Sequence, residues 1–422
     1  MKKIIIASDS FKGCLSSLEV AHAAGNGIRK VLPACEVVAV PVADGGEGTT
    51  EALVAALNGR FVSCEVHDPL MNPIQAEYGI LGDGLTAVIE MASASGLTLV
   101  PPEKRNPMLT TTYGTGELIK DALLRGCRRF LIGIGGSATN DAGTGMLQAL
   151  GYRFLDKDGH ELGQGGQVLE HITHFDFKEP PIPQFLNPEL ETPNPAPRTP
   201  YAEHRTSNPK ARTLHPEPLI PKPEARPALW EAVFTIACDV NNPFSGENGA
   251  AFVYARQKGA DDAMIHQLDR GLRQFATVIH ASTGIDINAI PGAGAAGGLG
   301  GGFLAFLPAT LQPGVQMVLQ ALDFDSRIRN ADLIITGEGK LDRQTGMGKT
   351  PSGILEAGKR QHIPVVAIGG TVEDADALLQ QGFLAVFSIQ QGPVTLEQAM
   401  DKSFAFKQIE QTVEQIIRLR TG

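Results

Sequence analysis

The stretch PGAGAAGGLGGG, Pro291–Gly302, contains seven glycines in twelve residues. Glycine permits positive-φ turns and lets a ligand reach main-chain N–H groups, because it carries no Cβ. The stretch follows a weak alternating run and precedes the apolar segment Phe303–Leu307, a context typical of a loop that opens a helix. Free N–H groups and the helix dipole at such a loop attract phosphate or carboxylate. We therefore predict that Gly292, Gly294 and Gly297 form an anion-binding cradle.

Two other interpretations of this stretch remain open. The three glycines also match the GxGxxG pattern of dinucleotide-binding folds, which requires a longer preceding strand and an acidic residue about 20 positions later. Asp323 and Asp325 come late for that role. The glycines also suit close packing of a helix against its neighbour. Similar polar turns elsewhere in the chain favour the anion-binding interpretation.

The composition is that of an ordinary globular protein with a net charge of −10. A length of 422 residues predicts two or three domains. The charge argues against nucleic acid or an anionic membrane as partner, but distant charges are screened, so an anionic substrate is not excluded. The chain has no run of about 20 apolar residues for a membrane helix, and its N-terminal apolar run is too short for a signal peptide. Five dispersed cysteines without a CxxC pair indicate free thiols, so we expect a cytoplasmic protein.

Two consecutive strand–loop–helix units open the chain. Residues 2–8 predict a strand, and Ser16 with Glu19 forms the S-x-x-E capping box of a following helix. A second predicted strand, 36–42, leads through a glycine-rich loop into a helix at 50–57. Such βα units build an open parallel sheet, and ligands collect at the carboxyl ends of its strands.

The middle of the chain has a different pattern. Short alternating segments between 61 and 100 predict antiparallel or mixed strands and a domain boundary near residue 68. Residues 176–228 hold half of the 28 prolines and show no periodicity, which predicts an extended or disordered insertion. Layered α/β patterns return towards the C-terminus. The ends of the chain are therefore predicted to form one domain and the middle an inserted second domain.

Four polar turns follow predicted strands, and each combines small residues with a carboxylate or an amine. A single turn of this kind is ordinary, since Gly, Asp, Asn and Ser favour turns for local reasons. Four together favour a site for phosphoryl transfer, which needs N–H cradles, Mg²⁺ on carboxylates, a lysine and a positioned base. The polar residues of these turns are Asp9, Ser10, Lys12, Asp44, Glu47, Ser137, Thr139, Asn140, Asp141, Glu338, Lys340 and Asp342.

A Walker A loop is excluded, although Gly348-Lys349-Thr350 has the required ending. The leading glycine of that motif would fall at position 343, which is Arg343. A kinase with this sequence must therefore hold its nucleotide in another way.

Six blocks of the sequence together resemble bacterial glycerate kinases of the type that forms 2-phosphoglycerate. The resemblance covers nearly the whole chain in order, and its blocks are DSFKG (9–13), ADGGEGT (43–49), GGSATNDAG (135–143), ACDVNNP (237–243), PGAGAAGG (291–298) and TGEGKLDRQ (336–344). It implies an ATP- and Mg²⁺-dependent kinase for D-glycerate. It also implies a two-domain α/β fold with the active site in the interdomain cleft. The outer domain would be a flavodoxin-like or Rossmann-like parallel sheet (1–68 and 288–422). The second, mixed domain would be inserted in it (69–287).

The resemblance leaves individual roles open, and we assign them on physical grounds. Asp44 and Asp239 are candidates for the general base and the Mg²⁺ ligand, in either order, and Lys12 for charge neutralisation. Asp141 is either a site residue or a helix cap. The remaining assignments are substrate contacts (Asp9, Ser10, Glu47 and Asn140) and nucleotide contacts (Gly135, Gly136, Ser137, Gly292, Gly294, Gly297, Glu338 and Asp342).

Other functions and the state of assembly also stay open from the sequence. The GxGxxG pattern allows an NAD(P)-dependent hydroxyacid oxidoreductase as the alternative function, and a non-catalytic sensor of sugar acids or nucleotides is a third. A homodimer is compatible with the sequence. The hydroxyl of glycerate that would be phosphorylated is not determined by the residues themselves.

Overall fold

The computed structural model describes residues 1–178, 228–346 and 349–421. The predicted proline-rich insertion at 176–228 thus lies almost entirely outside the described residues. In chain order the described strands are β1 (Lys3–Ile6), β2 (Glu36–Ala39), β3 (Arg60–His67), β4 (Pro73–Ile80), β5 (Thr86–Glu90), β6 (Arg129–Gly133), β7 (Tyr152–Leu155), β8 (His174–Phe177), β9 (Val233–Ala237), β10 (Ala309–Gln312), β11 (Leu333–Leu341), β12 (Val365–Val372) and β13 (Ala385–Ser388).

The helices connect these strands and cover the sheets. None of the described helices has both the length and the apolar character needed to cross a membrane. The helices are α1 (Ser17–Val31), α2 (Thr49–Ala56), α3 (Ala92–Ser95), α4 (Tyr113–Leu124), α5 (Thr144–Ala149), α6 (Ala228–Glu231), α7 (Ala250–Tyr254), α8 (Asp262–Thr283), α9 (Ala295–Phe306), α10 (Gly314–Ala321), α11 (Phe324–Arg327), α12 (Thr350–Arg360), α13 (Ala375–Gln381), α14 (Leu396–Ala399) and α15 (Lys402–Thr421).

The first domain is a parallel five-stranded sheet in the order β13-β12-β11-β1-β2. Successive isoleucines of β1 point to opposite faces, so Ile5 packs in the core beneath α10 and α12, and Ile4 and Ile6 in the core beneath α1 and α15. The predicted capping box at the start of α1 is confirmed, since Ser16 accepts the Glu19 N–H and Glu19 accepts the Ser16 N–H. Strands from both ends of the chain therefore share one sheet.

The second domain is built on a six-stranded mixed sheet in the order β10-β9-β6-β5-β4-β3. The pairs β3–β4 and β4–β5 are antiparallel, and the others are parallel. The predicted α/β class, with a mixed domain inserted in a parallel-sheet domain, is confirmed.

The domain boundaries differ from those expected at 68 and 288. Strand β3 pairs with β4 over its whole length, from Arg60↔Ile80 to His67↔Pro73, and β10 pairs with β9 from Ala309↔Phe234 onwards. Both strands therefore belong to the mixed sheet, and the chain crosses between the domains at 57–59 and at 313. The expected boundaries assigned them to the first domain: β3 was predicted as a strand but local sequence does not identify its partner, and β10 was not predicted.

The glycine stretch 291–302 leads into α9, as predicted, through a left-handed turn. Ala296, Gly297 and Gly298 have φ values of 53°, 72° and 90°. A Cβ at Gly297 would lie 2.1 Å from Thr139 O, and one at Gly294 would lie 2.1 Å from Pro243 O. The absence of side chains thus lets α9 pack directly against the backbone of neighbouring loops.

The two domains touch backbone to backbone. A Cβ at Gly133 of the mixed domain would lie 2.3 Å from Gly45 O of the first domain, and one at Gly45 would lie 2.6 Å from the Cβ of Ala237 in the mixed domain. Within the first domain, a Cβ at Gly314 would lie 1.9 Å from Asp44 O, so the start of α10 packs against the same loop. We call these residues together the interdomain contact (Asp44, Gly45, Gly133, Ala237 and Gly314). It brings the loop after β2 against the carboxyl ends of β6 and β9.

Candidate active site

A cleft of about 780 Å³ lies between the two domains, at the carboxyl ends of strands from both sheets. Loops after β1 and β2 line it from the first domain, and residues that follow β5, β6 and β9 line it from the mixed domain. Both sets of loops meet here because the carboxyl ends of parallel strands share one edge of a sheet. The predicted site residues that line the cleft are Lys12, Asp44, Glu47, Gly135, Gly136, Ser137 and Asp239.

Lys12 supplies positive charge on the wall of the first domain. Its Nζ lies 3.3 Å from Asp44 Oδ2, and about half of its side chain is exposed. Partial burial lowers the pKa of Lys12, but Asp44, Asp9 and Glu338 together raise it above its ordinary value. The ammonium therefore remains charged at neutral pH and available to an anion in the cleft.

The carboxylates of Asp9, Asp239 and Glu338 lie close enough to Asp44 for its charge to affect their pKa values. Burial, with a smaller contribution from the Asp44 charge, raises the pKa values of Asp9, Asp239 and Glu338, that of Asp9 to about 6. Asp44 Oδ1 accepts the Gly46 N–H at 3.0 Å. Carboxylate oxygens are the hard ligands that Mg²⁺ prefers, and a cation would relieve the repulsion between these groups. Among the described residues these carboxylates do not form a cluster of three ligands within 4.8 Å of one another. Mg²⁺ is often held by only one or two carboxylates with water and phosphate oxygens, and Asp44 is the candidate ligand here.

Asp239 connects the wall of the mixed domain to the first domain. It follows β9, and its Oδ1 accepts the N–H of Gly314, the first residue of α10, at 3.0 Å. This hydrogen bond joins it to the interdomain contact next to Asp44. The two aspartates predicted to carry the chemistry are thus positioned by the same contact between the domains.

The loop after β6 presents free backbone donors. Gly136 has a φ of 72°, and the N–H groups of Gly135, Gly136 and Ser137 have no acceptor in the described part of the chain. Consecutive N–H groups around a left-handed glycine form a concavity that binds anions. This segment therefore has the geometry of a phosphate cradle.

The three glycines of the GxGxxG pattern do not line the cleft, whereas their neighbours Ala295 and Ala296 do. Gly294 and Gly297 face protein backbone, as described above, so the packing alternative accounts for their lack of side chains. The dinucleotide interpretation therefore receives no support from their position outside the cleft.

Asp9 and Ser10 are not among the residues that line the cleft. Asp9 is buried, and its carboxylate accepts the N–H of Ser10 at 2.6 Å and the hydroxyl of Thr350 at 3.1 Å. Burial is the main cause of its raised pKa; the Asp44 charge adds to the rise and the Lys12 charge opposes it, so Asp9 lies within electrostatic range of both.

Glu338 and Asp342 also lie beside the cleft rather than in its lining. Glu338 Oε1 accepts the Thr345 hydroxyl at 2.5 Å, and Lys349 Nζ lies 3.8 Å from Glu338 and 4.0 Å from Asp342. This loop therefore carries both a carboxylate and an ammonium towards the first-domain wall.

Asn140 and Asp141 are fully buried behind the loop after β6. The carboxylate of Asp141 accepts the N–H groups of Thr112, Gly143 and Gly145. Because Gly143 and Gly145 lie at the start of α5, the helix-cap alternative describes Asp141. Neither side-chain atom of Asn140 has a hydrogen-bond partner among the described residues.

Two charged lining residues were not predicted, Glu90 and Lys258. Glu90 ends β5 and accepts the Thr50 N–H at the start of α2 at 2.8 Å, which links the two domains, and burial raises its pKa. Lys258 is buried, and its Nζ donates to Ser137 Oγ at 2.7 Å and to Thr139 O at 2.6 Å. Glu90 could have been predicted from its position at the end of a strand, whereas the sequence carries no signal that Lys258 is buried beside the cleft.

Comparison with known proteins gives a consistent family. A sequence model described as Glycerate kinase family matches residues 4–184 and 204–421. The chain is 44% identical over 400 residues to a Glycerate kinase of Bacillus subtilis, covering 94% of this chain and 93% of the relative. It is 42% identical over 398 residues to Glycerate 2-kinase of Escherichia coli, covering 94% and 93%. Its structure is similar to the crystal structure of putative glycerate kinase 2 from Salmonella typhimurium LT2, with a TM-score of 0.82, 39% identity and coverage of 100% and 99%.

Proposed function

Because the chain belongs to the glycerate kinase family, we propose that it transfers the γ-phosphoryl group of ATP to D-glycerate and forms 2-phosphoglycerate. The observation that supports this most is the meeting of Lys12, Asp44 and Asp239 with the free N–H groups of 135–137 in one interdomain cleft. The choice of the 2-hydroxyl follows the sequence resemblance and the 42% identity to a relative named Glycerate 2-kinase.

The two aspartates receive different roles in this proposal. Asp239 is the general base for the attacking hydroxyl, since burial raises its pKa and a base of higher pKa accepts a proton more readily. Asp44, with Asp9 and Glu338 nearby, would hold Mg²⁺. The ion supplies charge neutralisation to the β- and γ-phosphates when bound.

The anionic groups of the substrates are placed on opposite walls of the cleft. Lys12 balances the charge of the phosphates from the first domain, and the N–H groups of Gly135, Gly136 and Ser137 hold phosphoryl oxygens from the mixed domain. Gly292, Gly294 and Gly297 contribute indirectly, because their close packing places Ala295 and Ala296 at the cleft wall. Both substrates are small anions, which agrees with a polar cleft despite the net charge of −10.

Phosphorus NMR of the reaction product tests the proposal directly. After incubation with ATP, Mg²⁺ and D-glycerate, we expect ADP and a phosphomonoester signal split into a doublet by the single proton on C2. A triplet would identify the 3-phosphate, with two protons on C3, and would overturn the proposed product. No ATP-dependent phosphomonoester at all would overturn the kinase itself, and L-glycerate serves as the matched control substrate.

We also propose that the protein is cytoplasmic. All five cysteines are free thiols, which supports a reducing compartment.

A further inference from the structure

Lys258 is buried to 1% exposure and still lines the cleft. It ends the short 3₁₀-helix Arg256–Lys258, after which Gly259 turns the chain with a φ of 96°. A Cβ at Gly259 would lie 2.1 Å from Arg105 O, so the turn that places the lysine is tightly constrained. Both hydrogen-bond acceptors of the ammonium, Ser137 and Thr139, belong to the loop after β6.

Burial of this ammonium needs a reason, since a neutral side chain would reach the same acceptors at a smaller desolvation cost. Burial lowers the pKa of Lys258 to about 7, against a smaller opposing effect of Asp141. An ammonium has three N–H donors, and the described residues provide acceptors for two of them. Of the other charged groups nearby, Arg105 packs against Gly259 and directs its Nε to Val100 O at 3.3 Å.

The loop held by Lys258 has polar groups that the protein itself does not satisfy. The N–H groups of 135–137 have no acceptor, and Thr139 Oγ1 and both side-chain atoms of Asn140 have no partner, among the described residues. Buried polar atoms without partners are rare in native proteins and mark places where water or a ligand completes the structure. A positive charge directly behind three free N–H groups would attract an anion to them.

We propose that Lys258 is a positioning residue for the phosphate-binding segment Gly135–Ser137, and that anion binding there depends on its charge. It acts through Ser137 and Thr139, whose positions it fixes. This inference rests on the proposed function, because it assumes that the bound anion is a phosphate of ATP.

The test compares kcat/KM for ATP of the wild type with that of Lys258→Met and Ser137→Ala between pH 6 and 9. At pH 6.5, where Lys258 is charged, we expect Lys258→Met to lose at least about tenfold in kcat/KM, mainly through KM. The difference shrinks towards pH 9, because the wild type loses the same charge above about pH 7. Ser137→Ala removes one hydrogen bond without removing the charge, so its pH profile keeps the wild-type shape. Parallel profiles of the wild type and Lys258→Met would overturn the proposal.

A second measurement keeps the proposal testable where Lys258→Met does not fold. In the wild type labelled with ¹³C at lysine Cε, we expect one resonance with a midpoint near pH 7 that moves to higher pH when the nonhydrolysable analogue AMP-PNP binds with Mg²⁺. The resonance is assigned by its absence in Lys258→Arg. A midpoint unchanged by AMP-PNP would overturn the inference. Failure of the wild type to phosphorylate D-glycerate would overturn the proposed function instead.

Discussion

Asp9 is a buried carboxyl group, and its titration connects the residue to the stability of the whole protein. Burial, and to a lesser extent Asp44, raises its pKa from 3.8 to about 6 in the folded state. The folded state therefore binds the proton more tightly than the unfolded state, and stability is lost as the pH rises from about 4 through 6. We expect Asp9→Asn, which cannot ionise, to stabilise the metal-free protein at pH 8 by on the order of 1–3 kcal/mol relative to its effect at pH 4.5. Urea unfolding at both pH values in EDTA measures the difference.

Thr350→Val is the control for Asp9→Asn. The hydroxyl of Thr350 also donates to Asp9, so Thr350→Val removes that contact and leaves the carboxyl group in place. We expect this control to destabilise at both pH values. If Asp9→Asn changes the free energy of unfolding equally at both pH values, ionisation of the Asp9 carboxyl group does not destabilise the folded protein.

Asp44 and Asp239 are expected to dominate the chemistry. Alanine at either position should lower kcat by about 10²–10⁴-fold, because a positioned base or the charge on a metal ligand contributes on that scale. Both variants should remain folded, as judged by circular dichroism. The exposed Asp158 offers a matched control, and Asp158→Ala should retain wild-type kcat. Wild-type kcat in Asp44→Ala or Asp239→Ala would remove that residue from the mechanism.

Individual cleft residues could be predicted from the sequence where they follow a predicted strand. Lys12, Asp44 and Asp239 follow apolar strands, and the carboxyl ends of such strands converge in an open sheet. Lys258 could not be predicted, because its sequence neighbours are polar and only the folded loop after β6 encloses it. Asp9 also follows a strand, but its burial depends on Thr350, more than 300 residues away.

At the scale of elements, the turn before α9 should be intolerant of side chains. Gly297 has a φ of 72°, and a Cβ there would lie 2.1 Å from Thr139 O. Gly284, after α8, has a similar φ of 75° with nothing within 4 Å of a Cβ. We expect Gly284→Ala to cost about 1 kcal/mol through backbone strain alone, and Gly297→Ala at least about 2 kcal/mol more through overlap. Equal costs in chemical unfolding would contradict close packing as the reason for Gly297.

The glycine stretch shows what local sequence leaves undecided about an element. A cradle for phosphate and a seat for another backbone both require a missing Cβ, so composition predicts the turn and the helix but not what approaches them. The strands β3 and β10 show the same limit for sheets. The sequence pattern identifies β3 as a strand. Only its pairing with β4, and the pairing of β10 with β9, shows that these two strands belong to the mixed domain.

At the scale of the whole molecule, Gly314 should set the distance between Asp44 of the first domain and Asp239 of the mixed domain, since it packs against the first and donates to the second. Gly314 has an ordinary φ, so alanine there adds no backbone strain, but its Cβ would lie 1.9 Å from Asp44 O. We expect Gly314→Ala to displace the loop that carries Asp44 relative to Asp239, which accepts the Gly314 N–H, and to lower kcat by about tenfold or more, since small misplacements of reacting groups are costly. Gly163→Ala is the control, because nothing lies within 4 Å of its Cβ. Unchanged kcat in Gly314→Ala would separate activity from this contact.

Strand β1 hydrogen-bonds to β11, with Ile4 opposite Leu333, across more than 300 intervening residues. On the ribosome, β1 can pair early with β2, but it waits for its other neighbour, β11, for roughly 15–60 s at ordinary rates of synthesis. The inserted domain can fold during that time, since its six strands are emitted earlier. The exposed edge of β1 in a nascent chain is thus a natural binding site for chaperones until β11 has emerged.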